Sequence, residues 1–223
     1  LLRAVPEFGP AILKTAGFGY DGKGQYRVNS LADAELAWRK MDCQEAVLEA
    51  VVDFEAELSV VGVRGHDGDC AFFAPSANEH VNGILDVSMA PSPFSREVSE
   101  AAIGITRGIL EQLSVTGVLC VEFFLTRDHR LLVNELAPRP HNSYHESERA
   151  CHTRQFEQFV RAICDLPLGD VAIVEPAAIV NLFGDLWRDG AMPDFSPALQ
   201  MPGVRLHLYG KTSARPGRKM GHL

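Results

Sequence analysis

The feature that most constrains this chain is an acid set at the end of an apolar strand. Leu131-Leu132-Val133 leads through Asn134 to Glu135, and then into Leu136-Ala137-Pro138-Arg139-Pro140-His141-Asn142-Ser143, a turn carrying Arg, His and Asn. Upstream, the apolar run Gly117 to Thr126 also holds a single acid, Glu122. Arg127-Asp128-His129-Arg130 between the two runs is short enough for a β-hairpin. A turn centred between Asp128 and His129 pairs Arg127 with Arg130, Leu125 with Leu132 and Glu122 with Glu135; an odd-length loop would shift this by one. Two carboxylates directly opposite each other repel. A divalent cation reverses that balance, and hard oxygen ligands of this kind suit Mg²⁺ held together with nucleotide phosphates. A pair of edge-strand acids facing water is the other reading that these residues leave open.

Composition narrows the class. A chain of 223 residues with 46% hydrophobic and 22% charged content can bury a good core, in one large domain or two small ones. A formal charge of −8 argues against a nucleic-acid-binding face, while a local basic cluster remains able to hold phosphate. The five cysteines lack any C-x-x-C spacing and read as reduced thiols of a cytoplasmic protein. No apolar run approaches the roughly 20 residues of a membrane span.

Along the chain, Ala11 to Lys14 reads as a strand that feeds Gly17-Phe18-Gly19-Tyr20-Asp21-Gly22-Lys23-Gly24-Gln25, and Tyr26 to Asn29 as a second strand. The loop matches G-x-G-x-x-G, but that fingerprint requires a helix to follow at once. It also resembles a P-loop, except that Gly24 stands where Ser or Thr belongs. A strand on both sides makes it a glycine-rich hairpin flap, whose backbone N–H groups can approach phosphate closely. Ser30 to Asp33 resembles a capping box opening a helix to about Lys40. Ala46 to Val52 reads as a buried strand and Phe54 to Val60, by its alternation, as a half-buried one. A strand at Cys70 to Ala74 follows, then a helix striped by Val98, Ala102, Ile105, Ile109 and Leu113. Beyond the acidic hairpin, Phe156, Phe159, Val160 and Ile163 read as the core face of a helix ending near Pro167. Strands are expected at Ala177 to Leu182 and Val204 to Tyr209. The tail ends on a basic cluster, Lys211, Arg215, Arg218 and Lys219, with turn chemistry at Arg215-Pro216-Gly217-Arg218.

Three stretches in this order resemble the ATP-grasp enzymes, and within them the N5-carboxyaminoimidazole ribonucleotide synthetases. They are Gly19 to Gln25, Asn134 to Ser143, and Arg215 to His222. The resemblance implies an α+β, ATP-grasp fold. Its small subdomain with the flap would span 1–55, its central subdomain 56–176, and a β-rich C-terminal extension 177–223. The family's further N-terminal domain has no counterpart here, so the chain is expected to be the ATP-grasp part and inactive alone. A cytoplasmic homodimer, fused to or paired with a mutase-type carboxylase domain, is the expected assembly.

The resemblance also implies roles. Lys14 would contact ATP phosphates, with Gly19, Tyr20, Asp21, Gly22, Lys23, Gly24 and Gln25 closing over them. Glu49, Ala50, Val51 and Val52 would read adenine, Glu57 the ribose, and His80 would sit at the nucleotide, although from its surroundings alone it reads as a surface residue. Glu122 and Glu135 would bind Mg²⁺, beside Asn134. Arg139, His141 and Asn142 would hold bicarbonate or carboxyphosphate, with Lys23 also serving catalysis. Tyr20, Asp21, Lys23, Lys211, Arg215 and Arg218 would meet aminoimidazole ribonucleotide. Tyr144 stands where the family usually has glycine, and strain is expected there if the backbone needs positive φ. Rival readings are a biotin-carboxylase-like ligase and a non-catalytic nucleotide-binding module.

Overall fold

The computed structural model describes residues 1, 3–16, 24–42 and 45–223. Contacts divide it into two compact units, 1–53 with 82–84, and 54–81 with 85–223.

In the first unit, β1 (Ala11–Thr15) lies between β2 (Gln25–Val28) and β3 (Ala46–Ala50), antiparallel to both. The glycine-rich segment between β1 and β2, from Gly17 to Lys23, lies outside the described residues. Helix α1 (Val5–Phe8) and helix α2 (Leu31–Met41) supply Val5, Ala34 and Ala37 to a core with Leu13 and Val28. The Ser30 hydroxyl caps α2 by accepting from Asp33 N–H at 3.1 Å. Asp33 in turn accepts from Asn29 N–H, one residue upstream of the bond a capping box makes. The strand expected to be buried through Val52 ends at Ala50 and leaves Val47 48% exposed. As an edge strand of a small sheet, β3 has little to cover its outer face.

The second unit is built on a nine-stranded sheet. Its strands are β4 (Phe54–Arg64), β5 (Cys70–Phe72), β6 (Ser76–Val81), β7 (Ile84–Ala90), β8 (Gly117–Thr126), β9 (Leu131–Ala137), β10 (Ala177–Phe183), β11 (His207–Leu208) and β12 (Lys219–His222). They run in the order β11-β12-β10-β7-β6-β4-β8-β9, with β5 paired to β4. Helix α3 (Arg96–Gln112) brings Ala102 and Leu110 onto one face, against Leu58, Val60, Leu119, Val121, Phe123 and Leu125. On the other face Val61, Val63, Val118 and Cys120 pack with Phe73, Tyr144 and Ala162. With cover on both sides, Leu58 to Val63 is buried throughout, so the half-buried pattern expected for β4 holds only at its beginning.

Three further features bear on the sequence reading. The β6–β7 hairpin turns at Asn82 and Gly83, at φ 53° and 75°, the signature of an Asn-Gly type I′ turn that alternation alone had not flagged. Residues from 177 onward continue the central sheet, β10 pairing with β7. Helix α4 (Gln155–Ile163) turns Phe156, Val160 and Ile163 largely outward and buries Gln155, Gln158 and Ala162. The glutamines go inside because each pairs with a peptide group: Gln158 bonds both the N–H and the C=O of Gly169. Among the described residues, no helix is long and apolar enough to cross a membrane.

Candidate functional site

The acidic hairpin closes through an odd loop. Thr126 N–H donates to Arg130 C=O at 2.9 Å, His129 N–H donates to Thr126 C=O at 2.8 Å, and His129 takes φ 60°. This is a type I turn completed by a left-handed residue. Leu125 therefore pairs with Leu131 and Phe124 with Leu132, and the expected Leu125–Leu132 and Arg127–Arg130 pairs do not form. A bulge at Asn134 then shifts the register back by one, and Glu135 lies directly opposite Glu122. Bulges re-aim the side chains that follow them; without this one, Asn134 would oppose Glu122.

The strand pairings put Ser59 beside Glu122, and Glu57 beside Asn78. Two acids on this sheet meet a histidine. Glu57 Oε2 is 2.9 Å from His80 Nδ1, and Glu122 Oε1 is 2.9 Å from His141 Nε2. Burial pushes the Glu122 carboxyl up, but the hydrogen bond and charge of His141, helped by His80 and Lys219, leave it below its ordinary value. Burial lowers the His141 imidazole, whereas the Cys120 sulfur and Glu122 raise it, and the balance is upward. His80, read from the sequence as a surface residue, is half-buried against Glu57.

The turn after β9 is held by buried polar side chains. Gln155 accepts from His141 N–H and donates to His141 C=O, both at 2.8 Å, as a strand neighbour would. The side-chain amides of Asn142 and Asn181 bond reciprocally at 3.0 and 2.9 Å. Tyr144 is free of the expected strain: its φ is not positive, its ring is buried, and its hydroxyl reaches the C=O groups of Ser59 at 2.7 Å and Ala74 at 3.0 Å. It is a pillar between this turn and β4. Arg139 is exposed, with Nη1 on Pro140 C=O. Glu146 is buried and, among the described residues, neither carboxylate oxygen has a hydrogen-bond partner. Burial pushes its pKa well above the ordinary carboxyl value.

The C-terminal basic residues form a second cluster. Arg215 to Arg218 is a turn with Gly217 at φ 69° and Arg218 N–H donating to Arg215 C=O, the type II geometry of a Pro-Gly pair. Arg218 Nη1 donates to both oxygens of Ser213 at 2.8 Å. Lys211 lies over the Tyr209 ring and donates to Lys219 C=O. Lys219 is a cation near Glu122 that the sequence reading assigned only to the tail. Behind the site, His145, His222 and His207 stack with centroids 5.0 and 4.6 Å apart beside a cavity of about 670 Å³. That cavity is not lined by Glu122 or Glu135.

In the first unit, Lys14 Nζ is 2.5 Å from Glu49 Oε2, a pair that strand patterns do not reveal. Gln25 lies opposite Lys14 on β2, and Gly24 C=O accepts from Thr15 N–H. Ala50 closes β3, and after it Val51 N–H donates to Pro10 C=O, with Val52 and the rest of the connecting stretch outside any strand. Gly19, Tyr20, Asp21, Gly22 and Lys23 lie outside the described residues.

The Glu122–Glu135 rung suits a hard divalent cation: two carboxylates on adjacent strands, in register. Among the described residues no three His, Cys, Asp or Glu side chains gather to hold a metal by themselves. A cation here would complete its shell with phosphate oxygens and water, as Mg²⁺ commonly does. The residues that sequence reasoning missed are Ser59, Asn78, Ser143, Gln155 and Asn181. Lone polar residues within apolar strands, as in Leu58-Ser59-Val60, were the available signal.

Residues 3–156 match the model of the ATP-grasp domain, and residues 177–223 that of the phosphoribosylaminoimidazole carboxylase C-terminal domain. The N5-carboxyaminoimidazole ribonucleotide synthase of Bacillus subtilis is 42% identical over 214 residues, covering 96% of this chain and 55% of that protein. A solved N5-carboxyaminoimidazole ribonucleotide synthetase in complex with ADP is 42% identical, with a TM-score of 0.89, over 99% of this chain and 58% of that one. The Aspergillus clavatus synthase, solved with ADP and 5-aminoimidazole ribonucleotide, is 30% identical, with a TM-score of 0.87, over 99% and 58%. The chain thus spans somewhat more than half the length of these relatives. Its α+β architecture, its bulged acidic hairpin and the match over 3–156 lead to one conclusion: the chain belongs to the ATP-grasp family.

Proposed function

We propose that this chain carries the ATP-dependent chemistry of an N5-carboxyaminoimidazole ribonucleotide synthase, in the cytoplasm and as a homodimer. Bicarbonate is a poor electrophile because hydroxide is a poor leaving group. Transfer of the ATP γ-phosphoryl group to bicarbonate gives carboxyphosphate and ADP, and the ribonucleotide amine then takes the carboxyl group and releases phosphate. The protein's task is alignment and charge neutralisation.

The observation that carries this reading is the Glu122–Glu135 rung, recovered by the Asn134 bulge. These two carboxylates would hold Mg²⁺, which when bound neutralises phosphate oxygens during transfer. Lys14 would leave Glu49 for the phosphates, with Gly19 to Gln25 closing above them. Glu49 to Val52 would read adenine, and Glu57, fixed by His80, the ribose hydroxyls. Arg139 is the group best suited to bicarbonate, since its guanidinium is exposed and forked. His141 and Asn142 would shape that pocket, and their side chains are already engaged by Glu122 and Asn181. Tyr20, Asp21 and Lys23 would meet the aminoimidazole, and Lys211, Arg215 and Arg218 its 5′-phosphate.

The test is phosphate release from Mg-ATP and bicarbonate, with and without aminoimidazole ribonucleotide, using the full-length product of the gene. Release that requires the ribonucleotide and disappears in Glu135→Ala is expected. Tight Mg-ATP binding without ribonucleotide-dependent release would overturn the assignment in favour of a nucleotide-binding module.

A further inference from the structure

Behind Glu122 runs a line of buried polar side chains with no counterpart among the roles above. His141 Nδ1 is 2.8 Å from Ser143 Oγ, Ser143 Oγ is 2.8 Å from Ser59 Oγ, and Asn78 Nδ2 donates to Ser59 Oγ at 3.0 Å. Ser88 Oγ closes the line, 2.8 Å from Asn78 Oδ1 and 2.9 Å from Ser143 C=O. Ser59, Ser143 and Ser88 are fully buried and Asn78 nearly so. These residues come from β4, β6, β7 and the turn after β9, and they converge on one imidazole.

Gln155 fixes the His141 backbone on both its N–H and its C=O, so the ring can move only about its own side-chain bonds. Ser143 removes that freedom at Nδ1, leaving Nε2 aimed at Glu122 Oε1. Hydroxyls can donate in either direction along the line, so it holds the ring in one orientation whichever way its protons run. A carboxylate tied at one oxygen by a fixed ring cannot swing away from the rung it shares with Glu135.

We infer that Ser143 and Ser59 are positioning residues that act through His141 to fix Glu122. This rests on the reading of Glu122 as a cation ligand: His141 stands one step behind it, where partners characteristically orient a ligand, and Ser143 and Ser59 extend that support one and two steps further.

The test compares Ser143→Ala, Ser143→Thr and Ser76→Ala, with Glu135→Gln as the check on the metal reading. Ser76 is as buried as Ser143, but its Oγ donates only to Ser143 C=O, at 3.4 Å, and not to the Ser143 and Ser59 hydroxyls that lead to the His141 ring. Two readouts are taken on the chain: Mn²⁺ affinity in the presence of ADP, from the electron paramagnetic resonance of free Mn²⁺, and protection of the His141 Nε2–H proton from solvent exchange by nuclear magnetic resonance. Ser143→Ala is expected to lose about 10- to 100-fold in Mn²⁺ affinity and to lose the protected proton. Ser76→Ala keeps both, and Ser143→Thr recovers them. Equal losses in Ser143→Ala and Ser76→Ala, or none in Ser143→Ala, would overturn the inference. A protected proton that depends on Ser143, in a chain whose Mn²⁺ affinity ignores Glu135, would instead sink the metal reading and leave the positioning role standing.

Discussion

In both units an acid on a strand meets a base at close range, yet the two pairs are built for different fates. Lys14 and Glu49 touch at 2.5 Å with side chains 22% and 42% exposed, on a three-stranded sheet. Glu122 and His141 touch at 2.9 Å with side chains 14% and 11% exposed. Behind the second pair stand Ser143, Ser59, Asn78 and Gln155. A half-exposed pair in high dielectric contributes little and exchanges readily for another anion. A buried pair with satisfied neighbours is costly to break from one side. Under the proposed function, the difference would separate a cation that has to let go of its partner from a ligand that has to be aimed beforehand.

The largest expected effect comes from unlocking the braced pair. Gln155→Ala orphans the buried N–H and C=O of His141, and urea unfolding should register a loss of about 2–6 kcal/mol, from 1–3 per unsatisfied group. A loss as small as that of a surface substitution would show that the two regions are not braced differently.

Acid should expose the packing behind the site next. Burial, with neighbouring imidazoles, lowers the pKa of His145 to about 3 and of His222 to about 4, against an ordinary 6.5. Both are neutral in the fold, so their stability contribution is complete above pH 6.5 and is lost as pH falls toward 4. The melting temperature should drop by several degrees across that window, and His222→Phe should flatten the slope.

Glu146 runs in the opposite sense. Its raised pKa means that folding stability falls as pH rises above the ordinary carboxyl value of 4.5, because only the unfolded chain ionises there. Glu146→Gln should therefore be more stable than the parent at pH 8, by about 1 kcal/mol or more, since the glutamine cannot ionise, and lose that advantage at pH 4. An advantage equal at both pH values would mean that Glu146 is charged in the fold. The smallest effect belongs to the exposed pair: Glu49→Gln should change stability by about 0–1 kcal/mol and less in high salt.

Much of the architecture was legible because periodicity reports burial on one face. The strands of the acidic hairpin follow from it directly, and so does most of the α3 stripe: Val98, Ala102, Ile105 and Ile109 pack on the core, whereas Leu113 ends the helix 60% exposed. Periodicity failed where tertiary cover overrode it, as in β4, buried on both sides, and in α4, which turns Phe156, Val160 and Ile163 outward and buries two glutamines. The Glu122–Glu135 pairing was reached through the wrong register, because the odd loop and the Asn134 bulge offset each other. Loop geometry and bulges depend on single residues, His129 at positive φ among them, that strand patterns do not weigh. The Asn82-Gly83 turn carried a plain hairpin signal. The Ser59–Ser143 contact joins residues far apart in sequence, and only the fold brings them together.

The central claim is that Glu122 and Glu135 hold one cation together across their rung. Its most direct test is ADP affinity by calorimetry, with and without Mg²⁺, in the parent chain, Glu122→Gln and Glu135→Gln. Mg²⁺ should strengthen ADP binding in the parent, and either substitution alone should remove that gain while leaving Mg²⁺-free binding intact. A Mg²⁺ gain that survives in either variant would contradict a shared site.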